Sequence, residues 1–157
     1  MRKRIIGNET RTASSADLGW LDLERLAQVE VTSEDPAYSI ESALIPGAGA
    51  GWRAAEPGAQ TIRLLFDKPQ RLRQILVAFQ EQERPRTQEF LLRWSPDGGV
   101  SYREITRQQY NFSPPNTTRE REEYVVDLDG VTLLEMLLIP DISGGDTVAS
   151  LAQLRLA

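Results

Sequence analysis

The side chains equipped for chemistry are arginines, aromatics, amides and carboxylates, because the 157-residue chain contains neither histidine nor cysteine. Without imidazole there is no usual general base and no Ser-His-Asp arrangement. Without a thiol there is no thiolate nucleophile, disulfide or zinc-thiolate site. The remaining candidates fall in three polar stretches. Tyr110-Asn111-Phe112 places two aromatics and an amide ahead of Ser113-Pro114-Pro115. An aromatic, an amide and an arginine together offer a stacking platform with convergent donors and acceptors, which suits a hydroxyl-rich ligand. Trp52-Arg53 follows Ala48-Gly49-Ala50-Gly51 and supplies a ring for the apolar face of a pyranose, beside a planar donor group. Arg84 and Arg86 flank Pro85, whose ring limits where the guanidiniums point.

Each candidate also has a plainly structural reading. Trp52 can plug the end of a core, and Phe112 can tuck under its own loop. Arg84 and Arg86 can form solvated pairs with Glu81, Glu83 and Glu89, which are worth little. Asp127-Leu128-Asp129-Gly130, and Asp141 with Asp146, place carboxylates near turns. Two carboxylates at suitable separation can hydrolyse a glycoside. Acids at strand ends are ordinarily turn formers, however, and nothing here marks a raised carboxyl pKa. The expectation is a non-catalytic chain.

The elements that must position these residues centre on the stretch from Gln60 to Gly99. Ile62, Leu64 and Phe66 alternate along one side, as do Ile75, Val77 and Phe79, and again Phe90, Leu92 and Trp94. This predicts three antiparallel strands with one buried face, a turn at Asp67–Gln70 and another at Ser95-Pro96-Asp97-Gly98-Gly99. Before them, Ala27–Ser33 alternates as a strand with Ala27, Val29 and Val31 inward. Residues 34–52 read as a long loop with a helical turn at Ile40–Leu44. After them come a short strand at Tyr102–Thr106, an irregular segment over Arg107–Glu123, and closing strands at Glu123–Leu128, Leu133–Ile139 and Ser150–Leu156. Many short strands separated by Gly, Pro and Asp predict an all-β sandwich over residues 16–157, preceded by a loosely held arm over residues 1–15.

Composition narrows the partners. A net charge of -5 argues against nucleic acid, which needs a dense basic patch. No apolar run approaches the roughly 18 residues that span a membrane. The basic start, Met1-Arg2-Lys3-Arg4, is followed by no apolar region of a secretory leader, so a cytoplasmic location is expected of the chain as given.

The order of these pieces resembles the galactose-binding-like β-sandwich superfamily, the discoidin or coagulation-factor C-type domains and related carbohydrate-binding modules. The resemblance rests on the Gly-rich loop ending in Gly51-Trp52-Arg53-Ala54, on Gln60-Thr61-Ile62 with Phe66-Asp67-Lys68-Pro69, on Trp94-Ser95-Pro96-Asp97-Gly98-Gly99 and on the terminal Ala149–Leu156. It implies an antiparallel jelly roll of about eight strands, with loops at one end taking a carbohydrate, lipid headgroup or protein ligand. Trp52, Arg53, Arg84, Arg86, Tyr110, Asn111 and Phe112 are then the ligand-binding candidates. The alternative is an intracellular protein-interaction or assembly module without a sugar site. Such domains often hold a structural calcium ion, which favours hard carboxylate oxygens. Here Ile45-Pro46-Gly47 and Gln153 stand where the acids are expected, so no tight calcium site is predicted.

Overall fold

The computed structural model describes residues 19–81, 85–115 and 118–157. The arm expected over residues 1–15 lies outside the described residues, as does Arg84. Among the described residues the order of elements is α1 (Leu23–Leu26), β1 (Ala27–Val31), α2 (Ile40–Leu44), β2 (Trp52–Pro57), β3 (Gln60–Gln80), β4 (Arg86–Ser95), β5 (Arg103–Phe112), β6 (Arg119–Ile139), β7 (Val148–Leu151) and β8 (Gln153–Leu156). These eight strands make the antiparallel β-sandwich that the apolar alternation predicts.

The organising feature is the pairing of β3 with β6, which runs antiparallel from Gln60↔Leu138 to Gln80↔Arg119. The first part of β3 and the last part of β6 lie inside the strand order β1-β3-β6-β4-β5. The second part of β3 pairs instead with β8 on its free side, through Ile75↔Leu156 to Ala78↔Gln153. The turn predicted at Asp67–Gln70 is therefore corrected to a bend within one continuous strand. Register shifts between Leu65 and Gln74 let the ladder change direction without separating. Pro69 is tolerated there because an irregular, exposed position does not need its missing N–H. The separate strands expected over residues 123–128 and 133–139 likewise join into β6, which bends at Gly130 with φ of 75°.

The segment Arg107–Phe112, expected to be irregular, belongs to β5 and pairs with β4 as far as Arg86↔Phe112. Gln108 and Gln109 obscure its alternation, and only the partner strand reveals it. The expected terminal strand over residues 150–156 divides at Ala152 into β7 and β8. The three apolar triplets are all buried in one core, together with Leu134, Met136, Leu138, Leu154 and Leu156. Each such side chain contributes about 2 kcal/mol by leaving water.

The opposite face of the central strands carries a charged row. Arg63, Glu135 and Arg93 are register partners across β3, β6 and β4. Glu135 is 0% exposed and accepts from Arg63 Nε at 2.6 Å and from Arg93 Nε, while Tyr102 stacks on the Arg93 guanidinium at 3.9 Å. Burial alone would raise the Glu135 pKa, but the two guanidinium hydrogen bonds and their charges outweigh it and hold the carboxylate below its ordinary range. A group with a depressed folded pKa stabilises the fold above its unfolded value, and that contribution is lost as pH falls through the folded value. Glu135→Gln is therefore expected to cost about 2 kcal/mol near neutral pH and to flatten the loss of stability below the ordinary carboxylate range, measured by urea unfolding at several pH values.

Candidate functional site

The long loop before β2 is clipped to the strand it precedes. Glu34 accepts from the Ile40 backbone N–H at 2.6 Å at the start of α2, and Asp35 accepts from the Ala37 N–H at 2.9 Å. The Asp35 N–H donates to the Arg53 carbonyl at 2.9 Å, and the Arg53 N–H donates to the Tyr38 carbonyl at 3.1 Å. These bonds set the Tyr38 ring under the Arg53 guanidinium, 5.0 Å from the ring centre. Alternation along β2 sends Trp52 the other way. It is 1% exposed and its indole N–H donates to the Ser33 carbonyl at 3.1 Å, so it plugs the core.

Facing Tyr38 and Arg53 are Gln80, at the end of β3, and Ser150, Leu151 and Ala152 at the end of β7. Together with Ala50 and the buried Trp52 they bound a cleft of about 230 Å³. Its floor depends on Gly51, which has φ of 106°. A Cβ there would lie 2.6 Å from the Leu151 carbonyl oxygen and 2.9 Å from Ala152 Cα. The glycines before Trp52 thus bring backbone against backbone at this position.

Behind Ser150 stands Arg86, on the core-facing side of β4 with its side chain only 1% exposed. Its guanidinium donates to the Val148 carbonyl at 2.9 Å, to Gln88 Oε1 at 3.2 Å and to Ser150 Oγ at 3.4 Å. It lies 3.4 Å from the Glu81 carboxylate and over the Phe112 ring at 5.7 Å. Burial lowers its pKa, the Glu81 charge opposes that, and the nearby Arg53 charge lowers it again. Among the described residues, the buried side-chain polar atoms without a hydrogen-bond partner are Arg53 Nε, Arg86 Nε and Gln88 Nε2.

The other sequence candidates take different places. Phe112 is buried beneath Arg86 rather than presented to solvent. Tyr110 packs on Phe79 and Phe90, with ring centres at 6.1 and 5.7 Å, and its hydroxyl lies 3.5 Å from that of Tyr124. Asn111 is exposed, and its side-chain oxygen accepts from Thr87 Oγ1 at 2.6 Å. A shallower hollow of about 400 Å³ between Pro85 and Asp141 is lined by three of the sequence candidates, Arg86, Asn111 and Phe112. There the polar groups already serve one another, since Asp141 accepts from the Ser143 hydroxyl at 2.6 Å. Of the sequence candidates, Arg53 and the buried Trp52 line the first cleft, Arg86, Asn111 and Phe112 line the second hollow, and Tyr110 packs in an aromatic cluster. Tyr38, Gln80 and Ser150 carried no motif. A lone tyrosine in a Gly- and Pro-containing loop was the only signal available.

Eight antiparallel strands form a β-sandwich with a cleft at one end. Solved structures bear out that fold. The chain is similar to the family 32 carbohydrate-binding module of AlyQ in complex with 4,5-unsaturated mannuronic acid, at 15% identity and a TM-score of 0.63, covering 88% of this chain and 97% of that one. It is similar to the family 32 module of C. perfringens NanJ in complex with galactose, at 14% identity and a TM-score of 0.61, covering 87% and 96%. It is also similar to a pectin-binding carbohydrate-binding module, at 13% identity and a TM-score of 0.58, covering 84% and 90%. No family model and no curated protein matches the chain. The likeness is one of fold.

Two substitutions test the construction of this end. Gly51→Ala is expected to cost about 2 kcal/mol, because backbone rather than a movable side chain meets the new methyl group. Arg86→Met is expected to cost about 3 kcal/mol by removing the buried partner of Glu81, Gln88 and the Val148 carbonyl, and Glu81→Gln in the same chain should restore part of it. Denaturant midpoints of the single and double variants check both, and strict additivity would argue against the ion pair.

Proposed function

We propose that this protein is a non-catalytic carbohydrate-binding module whose ligand occupies the Tyr38–Arg53 cleft. The observation that carries the reading is the cleft's make-up: a half-buried aromatic ring beside a guanidinium that finds no hydrogen-bond acceptor within the described residues. A stacking surface with fixed donors suits a polyol better than it suits an apolar ligand. The complexes with 4,5-unsaturated mannuronic acid and galactose, and the pectin-binding module, among structurally similar proteins support the same class of ligand.

A bond-breaking role has less to support it. The cleft is lined by no carboxylate among the described residues. Asp127, the acid with a hydrolytic reading, is exposed and held by Arg71 at 2.6 Å. A general acid needs the opposite surroundings, a site that raises its pKa.

A glycan array with the whole chain tests the proposal. A defined set of glycans should be retained, and Tyr38→Ala should weaken retention about tenfold while Asn111→Ala leaves it unchanged. If no glycan is retained while a specific protein partner is recovered, the module is one for protein interaction and the carbohydrate reading falls.

A further inference from the structure

We infer that the ligand of this cleft presents a carboxylate, which makes a uronic acid the class of sugar it takes; this rests on the carbohydrate reading above. The first support is charge accounting. The chain has 23 acidic and 18 basic residues, so carboxylates are plentiful. Several arginines find one: Arg63 and Arg93 share Glu135, Arg71 holds Asp127, Arg107 reaches Glu89 and Arg121 reaches Glu123, while the buried Arg155 is satisfied by the Ala43 and Leu154 carbonyls. Even the buried Arg86 has Glu81. Arg53 is the one charged side chain lining the cleft among the described residues, with a tyrosine ring as its partner and its Nε buried without an acceptor. A partly desolvated cation left without an anion is costly, and the fold does not supply the anion.

The second support is the sign of the unmet groups. Among the described residues, the three buried polar atoms without partners are all N–H donors; Arg53 Nε belongs to a residue that lines the cleft, while Arg86 and Gln88 lie behind its wall and do not line it. Gln88 already gives its oxygen to Arg86, leaving its amide hydrogens over. Ser150, on the cleft wall, already accepts from Arg86. A sugar hydroxyl entering such a site brings a donor as well as an acceptor, and its own hydrogen then competes for the few oxygens present. An ionised carboxylate brings acceptors only and can take two parallel bonds from one guanidinium. A site that offers donors and a net positive charge is therefore complementary to the acidic sugar rather than the neutral one.

Calorimetric titration of the whole chain with galacturonate and mannuronate trimers, each beside its methyl ester, tests the inference. Esterification removes the charge and leaves the ring, so the comparison needs no variant protein. At least one acid should bind about tenfold or more tightly than its ester, with the preference shrinking as salt is raised. Arg53→Gln should bring the acid down to the level of the ester without moving the melting temperature by more than a few degrees. Arg53→Lys, which keeps the charge and loses the fork, should fall between. Equal affinity for acid and ester, or retention of neutral array glycans alone, overturns the carboxylate and leaves the carbohydrate reading standing. Absence of binding to every trimer and every array glycan removes both.

Discussion

The β3–β6 ladder is the constraint from which the rest of the molecule follows. Two strands of 21 residues each remain paired while they bend, so both layers share one hydrogen-bonded spine. The alternation of Ile62, Leu64 and Phe66 in one part and Ile75, Val77 and Phe79 in the other can then face a common core. The bend is possible because register shifts take up the change of direction at Asp67–Gln70, opposite a glycine. Every other strand is placed by adding to this spine or by covering its core-facing side. The ends of β3 and β4, and with them Gln80, Glu81 and Arg86, are fixed at one rim as a result.

At that rim the sandwich does something unusual with charge. Positions 86 and 88 continue the buried face of β4, where the pattern would ordinarily call for apolar residues. Arg86 occupies the space between the layers and is satisfied on most sides by a carbonyl, an amide, a hydroxyl, a carboxylate and an aromatic face. This polar plug makes the end of the core a place where a second guanidinium, that of Arg53, is electrostatically exposed rather than neutralised. The interior cation thereby shapes the chemistry of a cleft it does not line.

Much of this architecture was legible in the chain because strand alternation is a local property. The triplets ending in Phe66, Phe79 and Trp94 needed no partner to be recognised. Bends were read as breaks, since Asp67-Lys68-Pro69 looks the same in a reversal as in a paired corner. The site was less legible. Tyr110-Asn111-Phe112 has the composition of a ligand loop, yet pairing with β4 assigns alternate residues to the core and to solvent. Trp52 next to Arg53 illustrates the same point, because neighbours on a strand face opposite ways. Ser150 and Gln80 reach the cleft from residues far along the chain, a convergence that no local pattern encodes.

The row formed by Arg63, Glu135 and Arg93 bears on how the outer surface of the large sheet behaves toward other sheets. Leucines at 91, 133 and 137 lie on the same side and flank it, a composition that by itself would invite a second sheet to stack in dry contact. Closing such a contact would strip water from the partly exposed ends of two guanidiniums that share one buried carboxylate. The charged row thus opposes the stacking of a second sheet on this face.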